Sequence, residues 1–356
     1  MKSIKFPIFK TKSLTGSPIF NLNDPRERAK YFQFKAGVEI AKLKDYLKTS
    51  TFLAIMLGKK AAGKGTYSKL FAEALGTDQT VHIAAGDIVR EVDQVLKTGQ
   101  GKKELVSFLE DNYRGYLSIK AGMKAISERK LDRVSTPDEL MLALMKRKID
   151  KHQGKALFID GFPRTLGQIS YSLFFRDLVG YRDDPDFFVL IDIPEKVIDE
   201  RIKSRVVCPK CRTPRNLKLL PTKTVKYDPK KKAFYLVCDN PACRKVRMVG
   251  KEGDELGIGL IKKRLEVDEK LIEQAFGLYG IPKILLRNAV PVNQAEKLVD
   301  DYEITPEYVY AWDEEKKKVK ITEKPWVFKD DRGIDSVSLL APPVVVSLIK
   351  QLADLL

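Results

Sequence analysis

Phe52-Leu53-Ala54-Ile55-Met56-Leu57-Gly58-Lys59-Lys60-Ala61-Ala62-Gly63-Lys64-Gly65-Thr66 is the stretch that decides the fold. Six apolar residues run into a glycine-bounded loop, and a helical pattern from Tyr67 to Leu75 follows. The spacing is that of G-x-x-x-x-G-K, with the strand before it and the helix after it that a phosphate loop requires. Glycines allow backbone conformations closed to other residues and let amide N–H groups face a polyphosphate. The helix N-terminus adds partial positive charge, and Lys64 supplies a point charge. A chance glycine-rich turn is the plain alternative, and the flanking strand and helix weigh against it.

Outward from this loop, short apolar runs alternate with helical patterns, which signals parallel α/β construction. The candidate buried strands are Phe52–Leu57, Val81–Ile83, Ala156–Ile159, Phe187–Asp192 and Ala289–Val292. The first enters the glycine loop; the third and fourth end in Asp160 and Asp192. Open α/β sheets bind ligands outside the carboxyl ends of their strands, so one face of the sheet is nominated as the site. Asp93–Lys130 interrupts the alternation as a long, charged, helical stretch, and Val206–Gly253 interrupts it as a basic segment holding every cysteine. In the prefix, Arg26–Lys48 mixes charges with Phe32, Phe34, Val38, Ile40, Leu43 and Leu47, the pattern of an amphipathic helix lying on the main body. Tyr308–Trp312 and Lys318–Thr322 alternate around Asp313–Lys317 and predict a hairpin.

The chain has 356 residues, 44% of them hydrophobic, enough for a sizeable core. Its most apolar stretch, Leu339–Leu356, contains Pro342, Pro343, Lys350 and Asp354, so it reads as a buried segment plus helix rather than a membrane span. The prefix has no apolar core followed by a small-residue cleavage site, which argues against secretion and for a cytoplasmic protein. The net charge of +17 admits phosphorylated substrates, nucleic acid or a well-solvated surface. A nucleotide site needs only a handful of those cations.

Further motifs follow the loop in order. They are His82-Ile83-Ala84-Ala85-Gly86-Asp87-Ile88-Val89-Arg90, and Phe158-Ile159-Asp160-Gly161-Phe162-Pro163-Arg164-Thr165-Leu166-Gly167-Gln168. Asp192-Ile193-Pro194 with Glu200-Arg201-Ile202-Lys203-Ser204-Arg205 comes next, then Lys262-Lys263-Arg264-Leu265. Together with Gly63-Lys64-Gly65-Thr66 this series resembles the adenylate kinase family of nucleoside monophosphate kinases over roughly Phe52–Tyr279. The resemblance implies a P-loop fold: a doubly wound, parallel five-stranded sheet flanked by helices, with an inserted acceptor-nucleotide subdomain and a lid. It implies Mg²⁺-dependent transfer of the γ-phosphoryl group of ATP to AMP, giving two ADP. Arginine suits such chemistry because its planar guanidinium grips two phosphate oxygens and stays charged.

By resemblance, Gly58, Gly63, Lys64, Gly65, Thr66 and Arg201 would bind ATP. Arg90 and Arg164 would hold the acceptor phosphate, and Arg205 and Arg264 would bridge the transferring group. Ala85, Gly86, Gly161 and Gln168 would line the acceptor-nucleotide site, and Asp160, with Asp87 behind it, would anchor Mg²⁺ through water. The sequence departs from the family at three places. Ala84-Ala85 stands where adenylate kinases have Ser-Thr, and Ala at the second position resembles UMP/CMP kinases, while Gln168 matches the adenine-reading glutamine. The acceptor region is about twenty residues longer than usual. The lid arginine is missing from Lys251-Glu252-Gly253-Asp254-Glu255, leaving Lys251 or Arg247 as substitutes.

Cys208-Pro209-Lys210-Cys211 and Cys238-Asp239-Asn240-Pro241-Ala242-Cys243 form C-x2-C and C-x4-C knuckles. Four thiolates so arranged suit tetrahedral Zn²⁺, with disulfides as the competing reading. All four ligands come from protein, which marks a structural metal, and four-cysteine lids occur among bacterial adenylate kinases. The expected organisation is an N-terminal extension over 1–50, a kinase core over 51–300 and a C-terminal hairpin and helix over 301–356. Within the core, the acceptor subdomain covers 84–135 and the zinc lid 206–255. The expected partners are ATP and a nucleoside monophosphate, with no membrane; the resemblance implies a monomer. A basic zinc-ribbon protein binding nucleic acid, or nucleotide without turnover, is the alternative from another class.

Overall fold

The structure, a computed structural model, describes residues 4–76, 78–127, 138–164, 168, 185–250 and 253–356. Five parallel strands form the central sheet: β1 (Leu53–Gly58), β2 (Thr80–Ala84), β3 (Ala156–Asp160), β4 (Asp186–Asp192) and β10 (Lys283–Arg287), in the order β10-β4-β1-β3-β2. Alternation along these strands feeds two apolar layers. Phe52, Ala54, Met56, Phe158, Phe187 and Val189 face one side, and Leu53, Ile55, Leu57, Ile159, Phe188 and Leu190 face the other. A sheet buried on both faces reads as continuous apolar runs, which is why the strands were legible.

The helices are α1 (Pro25–Tyr46), α2 (Lys64–Leu75), α3 (Ala85–Val95), α4 (Gly99–Asn112), α5 (Ile119–Ser127), α6 (Asp138–Asp150), α7 (Glu195–Lys203), α8 (Lys262–Gly277), α9 (Val292–Leu298) and α10 (Ala341–Leu355). Helices α1, α2 and α10 pack on the first layer, and α3, α4, α6 and α8 contribute to the second. None of the described helices is long and apolar enough to cross a membrane.

Two expectations need correction. The fifth strand of the sheet is Lys283–Arg287, not Ala289–Val292. The segment β11 (Ala289–Pro291) pairs antiparallel with β15 (Asp335–Ser338), which also pairs with β14 (Val327–Lys329), in a separate sheet. Asn288 turns the chain between them: it is fully buried, and its side chain donates to Leu339 O at 2.8 Å and accepts from Ser338 Oγ at 2.7 Å. In α1, Phe34 and Val38 are 48% and 83% exposed rather than buried. Ala36 (φ −148°, ψ 28°) kinks the helix and rotates its second half, so Tyr31, Phe32, Ile40 and Leu43 form the packed face.

Edge strand β10 is covered rather than left open. The Gln351 side chain of α10 accepts from Leu285 N at 3.0 Å and donates to Leu285 O at 2.9 Å, replacing a neighbouring strand's backbone. The prefix is fastened through Glu303, in a 3₁₀ turn at Asp301–Glu303. This carboxylate is fully buried and accepts from Thr11 Oγ1 and Tyr31 Oη, both at 2.6 Å, and from Asp300 N at 2.9 Å. Lys35 lies 3.4 Å from it and 2.7 Å from Asp300. Glu303→Gln keeps the shape but removes the charge from this set, so unfolding in urea is expected to show a loss of about 2 kcal/mol. Unchanged stability would mean the hydroxyls and Lys35 do not depend on the carboxylate.

The lid segment leaves α7 as β5 (Arg205–Val207), β6 (Pro214–Asn216) and β9 (Val249–Gly250) in one small sheet, with β7 (Thr224–Asp228) and β8 (Ala233–Val237) as a hairpin. A second hairpin, β12 (Pro306–Asp313) with β13 (Lys318–Pro325), packs on it. Tyr227 stacks on Trp312 with centroids 5.0 Å apart at 20°, and Phe234 lies 5.5 Å from Tyr310. Tyr308 N donates to Lys218 O at 2.7 Å and Tyr310 Oη to Leu217 O at 2.6 Å.

Candidate active site

The phosphate loop links β1 to α2, placing its backbone at the carboxyl edge of the sheet. Gly63 caps α2 with φ +96°, a conformation that favours glycine, and a Cβ there would crowd the Tyr67 ring at 3.2 Å. Ala61 adopts φ +67° without being glycine. Lys64 opens α2 and donates to Gly58 O at 2.8 Å; its Nζ lies 3.7 Å from Asp160 at the end of β3. His82 Nε2 approaches the other Asp160 oxygen at 3.7 Å, an electrostatic contact too long for a hydrogen bond. Burial pushes the Asp160 carboxyl up, but His82, Lys64 and Arg164 outweigh it and hold the group below its ordinary value. Asp160 therefore stays ionised.

Gly58, Lys64, Gly161, Arg164, Arg264 and Asp268 line one narrow cleft over the ends of β1 and β3. Asp268 also accepts from Lys60 N at 2.8 Å, tying α8 to the loop. Gly161 has φ +77°, and a Cβ there would stand 3.0 Å from the Arg164 guanidinium and 3.6 Å from the Ala85 methyl group. Arg164 Nε donates to Gly161 O at 2.7 Å. Arg90 and Arg164 both reach Gly86, 3.7 and 3.8 Å from where its Cβ would be. These positions thus converge, although 74 residues separate Arg90 from Arg164.

Other expected site residues are engaged by other partners. Asp87 forms an ion pair with Arg90, and the described contacts do not join it to Asp160. Gln168 is buried; its amide accepts from Arg164 N at 2.5 Å and donates to Asp138. Arg201 donates to Ala61 O at 3.3 Å, beside the loop where Thr66 is exposed and Gly65 lies against His82. Arg205 is held by Asp254 through two bonds of 2.7 Å. Arg247, one of the two residues expected to stand in for the lid arginine, pairs with Asp228 at 2.9 Å and covers the Tyr235 ring; Lys251, the other, lies outside the described residues.

Two groups escaped the sequence reading. His82, one of only two histidines, ends up beside Asp160 because β2 and β3 are neighbours in the sheet. Lys59 is 2% exposed, although a lysine in a glycine loop reads as a solvated charge. Its Nζ faces Glu195 at 3.0 Å, Glu269 at 3.3 Å and Asp331 at 3.8 Å, and Glu195 N donates to Asp331 Oδ1 at 2.9 Å. These residues, with Asp192, Arg287 and Asp330, surround a cavity of about 280 Å³ behind the loop, larger than the cleft itself. Burial pushes Asp192 up, partly opposed by Arg287 at 2.8 Å. The 330–332 turn thus buttresses the phosphate loop and the start of α7, a contact between segments that no local pattern announces.

In the lid, Cys208, Cys211, Cys238 and Cys243 place their Sγ atoms within 4.8 Å of one another. Cys208–Cys243 is 3.7 Å and Cys211–Cys238 is 3.6 Å. Disulfide sulfurs stand about 2.0 Å apart, whereas a tetrahedron with Zn–S of about 2.3 Å has edges of about 3.8 Å. All four are free thiols, and the donor set and spacing fit zinc.

The AAA domain family matches residues 57–207, the phosphate loop through the start of the lid. The adenylate kinase of Thermotoga neapolitana is 30% identical over 234 residues, which are 65% of this chain and 87% of that one. That of Clostridium acetobutylicum is 29% identical over 249 residues, 69% of this chain and 95% of the relative. The mitochondrial GTP:AMP phosphotransferase of Drosophila melanogaster is 29% identical over 157 residues, 44% of this chain and 57% of the relative. With the loop, the converging arginines and the four-cysteine cluster in the family's order, and a relative matched over most of its length, the chain belongs to the adenylate kinase family.

Proposed function

We propose that this protein transfers the γ-phosphoryl group of ATP to AMP by direct in-line attack. The observation that carries the reading is the convergence of Lys64, Arg164 and Arg264 on one cleft beside ionised Asp160. Phosphoryl transfer needs little covalent help; alignment and charge neutralisation do most of the work. In this reading Lys64 and the loop amides hold the donor phosphates, and Arg90 and Arg164 hold the acceptor phosphate. Arg264 stands over the transferring group, and Arg205 reaches it by exchanging Asp254 for phosphate. Asp160 is the residue to hold Mg²⁺ through water, with Asp87 contributing; the ion supplies charge neutralisation.

UMP or CMP as acceptor is the second reading, and Ala85 beside Gly161 favours it because no hydroxyl is present there to read a base. Gln168 favours AMP. A coupled assay with ATP, Mg²⁺ and AMP, UMP, CMP or GMP in parallel decides between them. AMP is expected to turn over fastest. Preference for UMP or CMP would reverse the acceptor assignment and keep the mechanism, whereas no turnover with any acceptor would overturn the kinase reading.

A further inference from the structure

Residues 206–253 hold thirteen lysines and arginines against three acidic residues, so this lid segment carries +10 of the chain's +17. The residues lining the active-site cleft include none of these cations. Several sit where the backbone itself disfavours them. Among the described residues, six non-glycine positions have positive φ; five are Lys or Arg, and four of those are Arg212, Lys232, Arg244 and Lys245 in the lid. The left-handed region favours glycine or asparagine, so conformation does not explain a cation at each of these turns. Charge does.

The fold arranges these cations in two groups. Arg212, Arg244 and Lys245 directly follow Cys211 and Cys243, and the 3.7 Å approach of Cys208 to Cys243 brings the two knuckles together. Lys230, Lys231 and Lys232 are exposed at the turn between β7 and β8. β8 joins the groups, its five residues ending directly before Cys238. Five extended residues span about 17 Å, the rise of about five nucleotides at 3.4 Å per strand step. The ribbon between the groups has unlike faces. Tyr227 and Phe234 are covered by Trp312 and Tyr310. By strand alternation Lys226 and its partner Tyr235 point the other way, with Arg247 over the Tyr235 ring at 4.0 Å. Among the described residues, Lys226 and the cations of both groups have no ion-pair partner.

We propose that this exposed face of the zinc lid binds the phosphodiester backbone of nucleic acid, without regard to sequence, as a second function separate from the nucleotide site. Phosphate contacts of this kind give affinity and a steep salt dependence but no base discrimination.

The test uses the full-length, zinc-loaded protein with fluorescently labelled 20-nucleotide single-stranded RNA, single-stranded DNA and the matching duplex, read by anisotropy. Binding is expected to weaken about 10³-fold between about 50 and 200 mM salt, as six phosphate contacts require. The strand that binds most tightly identifies the source of the backbone. Changing Lys230, Lys231 and Lys232 together to Glu is expected to weaken binding at least about tenfold and flatten the salt slope. The melting temperature and the turnover measured in the same preparation should not change. Saturating ATP and AMP should not displace the strand. Displacement by nucleotide, equal binding by the triple variant, or binding only to anionic lipid vesicles would overturn the proposal. Because strand binding and turnover are read separately, failure of one leaves the other standing.

Discussion

Lys64→Ala is expected to lower turnover by about 10³-fold, equivalent to about 4 kcal/mol, while leaving the protein folded. The large kinetic effect follows from position. Lys64 Nζ lies 3.7 Å from Asp160 and lines the cleft with Arg164 and Arg264, and in the proposed mechanism it neutralises charge on the donor phosphates. The small structural effect follows from its bonding. Its short contact is to Gly58 O at 2.8 Å, worth about 2 kcal/mol for a charged donor, and His82 remains beside Asp160. Arg164→Ala is expected to lower turnover likewise, since its guanidinium lines the same cleft. Circular dichroism melts and the coupled assay, run on the same preparations, separate the two effects. A near-normal rate in either variant would remove that residue from the phosphate-binding role.

Removing the metal is expected to act on stability and ATP use together. The buried apolar cluster around the knuckles consists of Cys208, Leu236, Cys238, Cys243 and Met248, and Val237 and Leu219 are the other buried apolar side chains described in the lid. A segment of about fifty residues cannot offset its conformational entropy with so little apolar surface. Structural zinc contributes about 10–16 kcal/mol of apparent binding energy in comparable small modules. Chelation, or Cys208→Ser, should therefore unfold the lid, lower the first melting transition and raise KM for ATP, because Arg205, in the first strand of the lid, loses its fixed position. Of the two tryptophans, Trp312 reports on the event through its stacking on Tyr227, while Trp326 is buried in the main core against Phe328. The Trp312 emission should shift to the red as that contact opens. An unchanged melt with no zinc in purified protein would sink the structural-metal assignment.

What the sequence disclosed follows from what is local. The phosphate loop, the strand ends at Asp160 and Asp192, and the cysteine knuckles are all determined over a few residues, so periodicity and spacing expose them. Lys59 and Asp331 are far apart in sequence, and their pairing depends on how the last sheet folds back over α7; no window contains both. The fifth strand was misplaced for a similar reason. Lys283–Arg287 and Ala289–Pro291 are both short apolar runs, and what separates them is the side chain of Asn288 binding residues 338 and 339. The kink at Ala36 likewise defeats a periodicity argument, because it changes the phase of the helix without changing its composition.

The fastening of the prefix through Glu303 also bears on how the molecule comes together. Thr11 and Tyr31 reach that carboxylate across 292 and 272 residues, and Arg332 reaches Ile4 O across 328. Contacts of such sequence separation close large loops and slow folding. During synthesis α1 is made well before the Asp301–Glu303 turn and α10, which pack against it around Tyr31, Phe32 and Leu43. A nascent chain thus carries an uncovered apolar helix until the C-terminal segment emerges, and chaperone demand in the cell should track that interval.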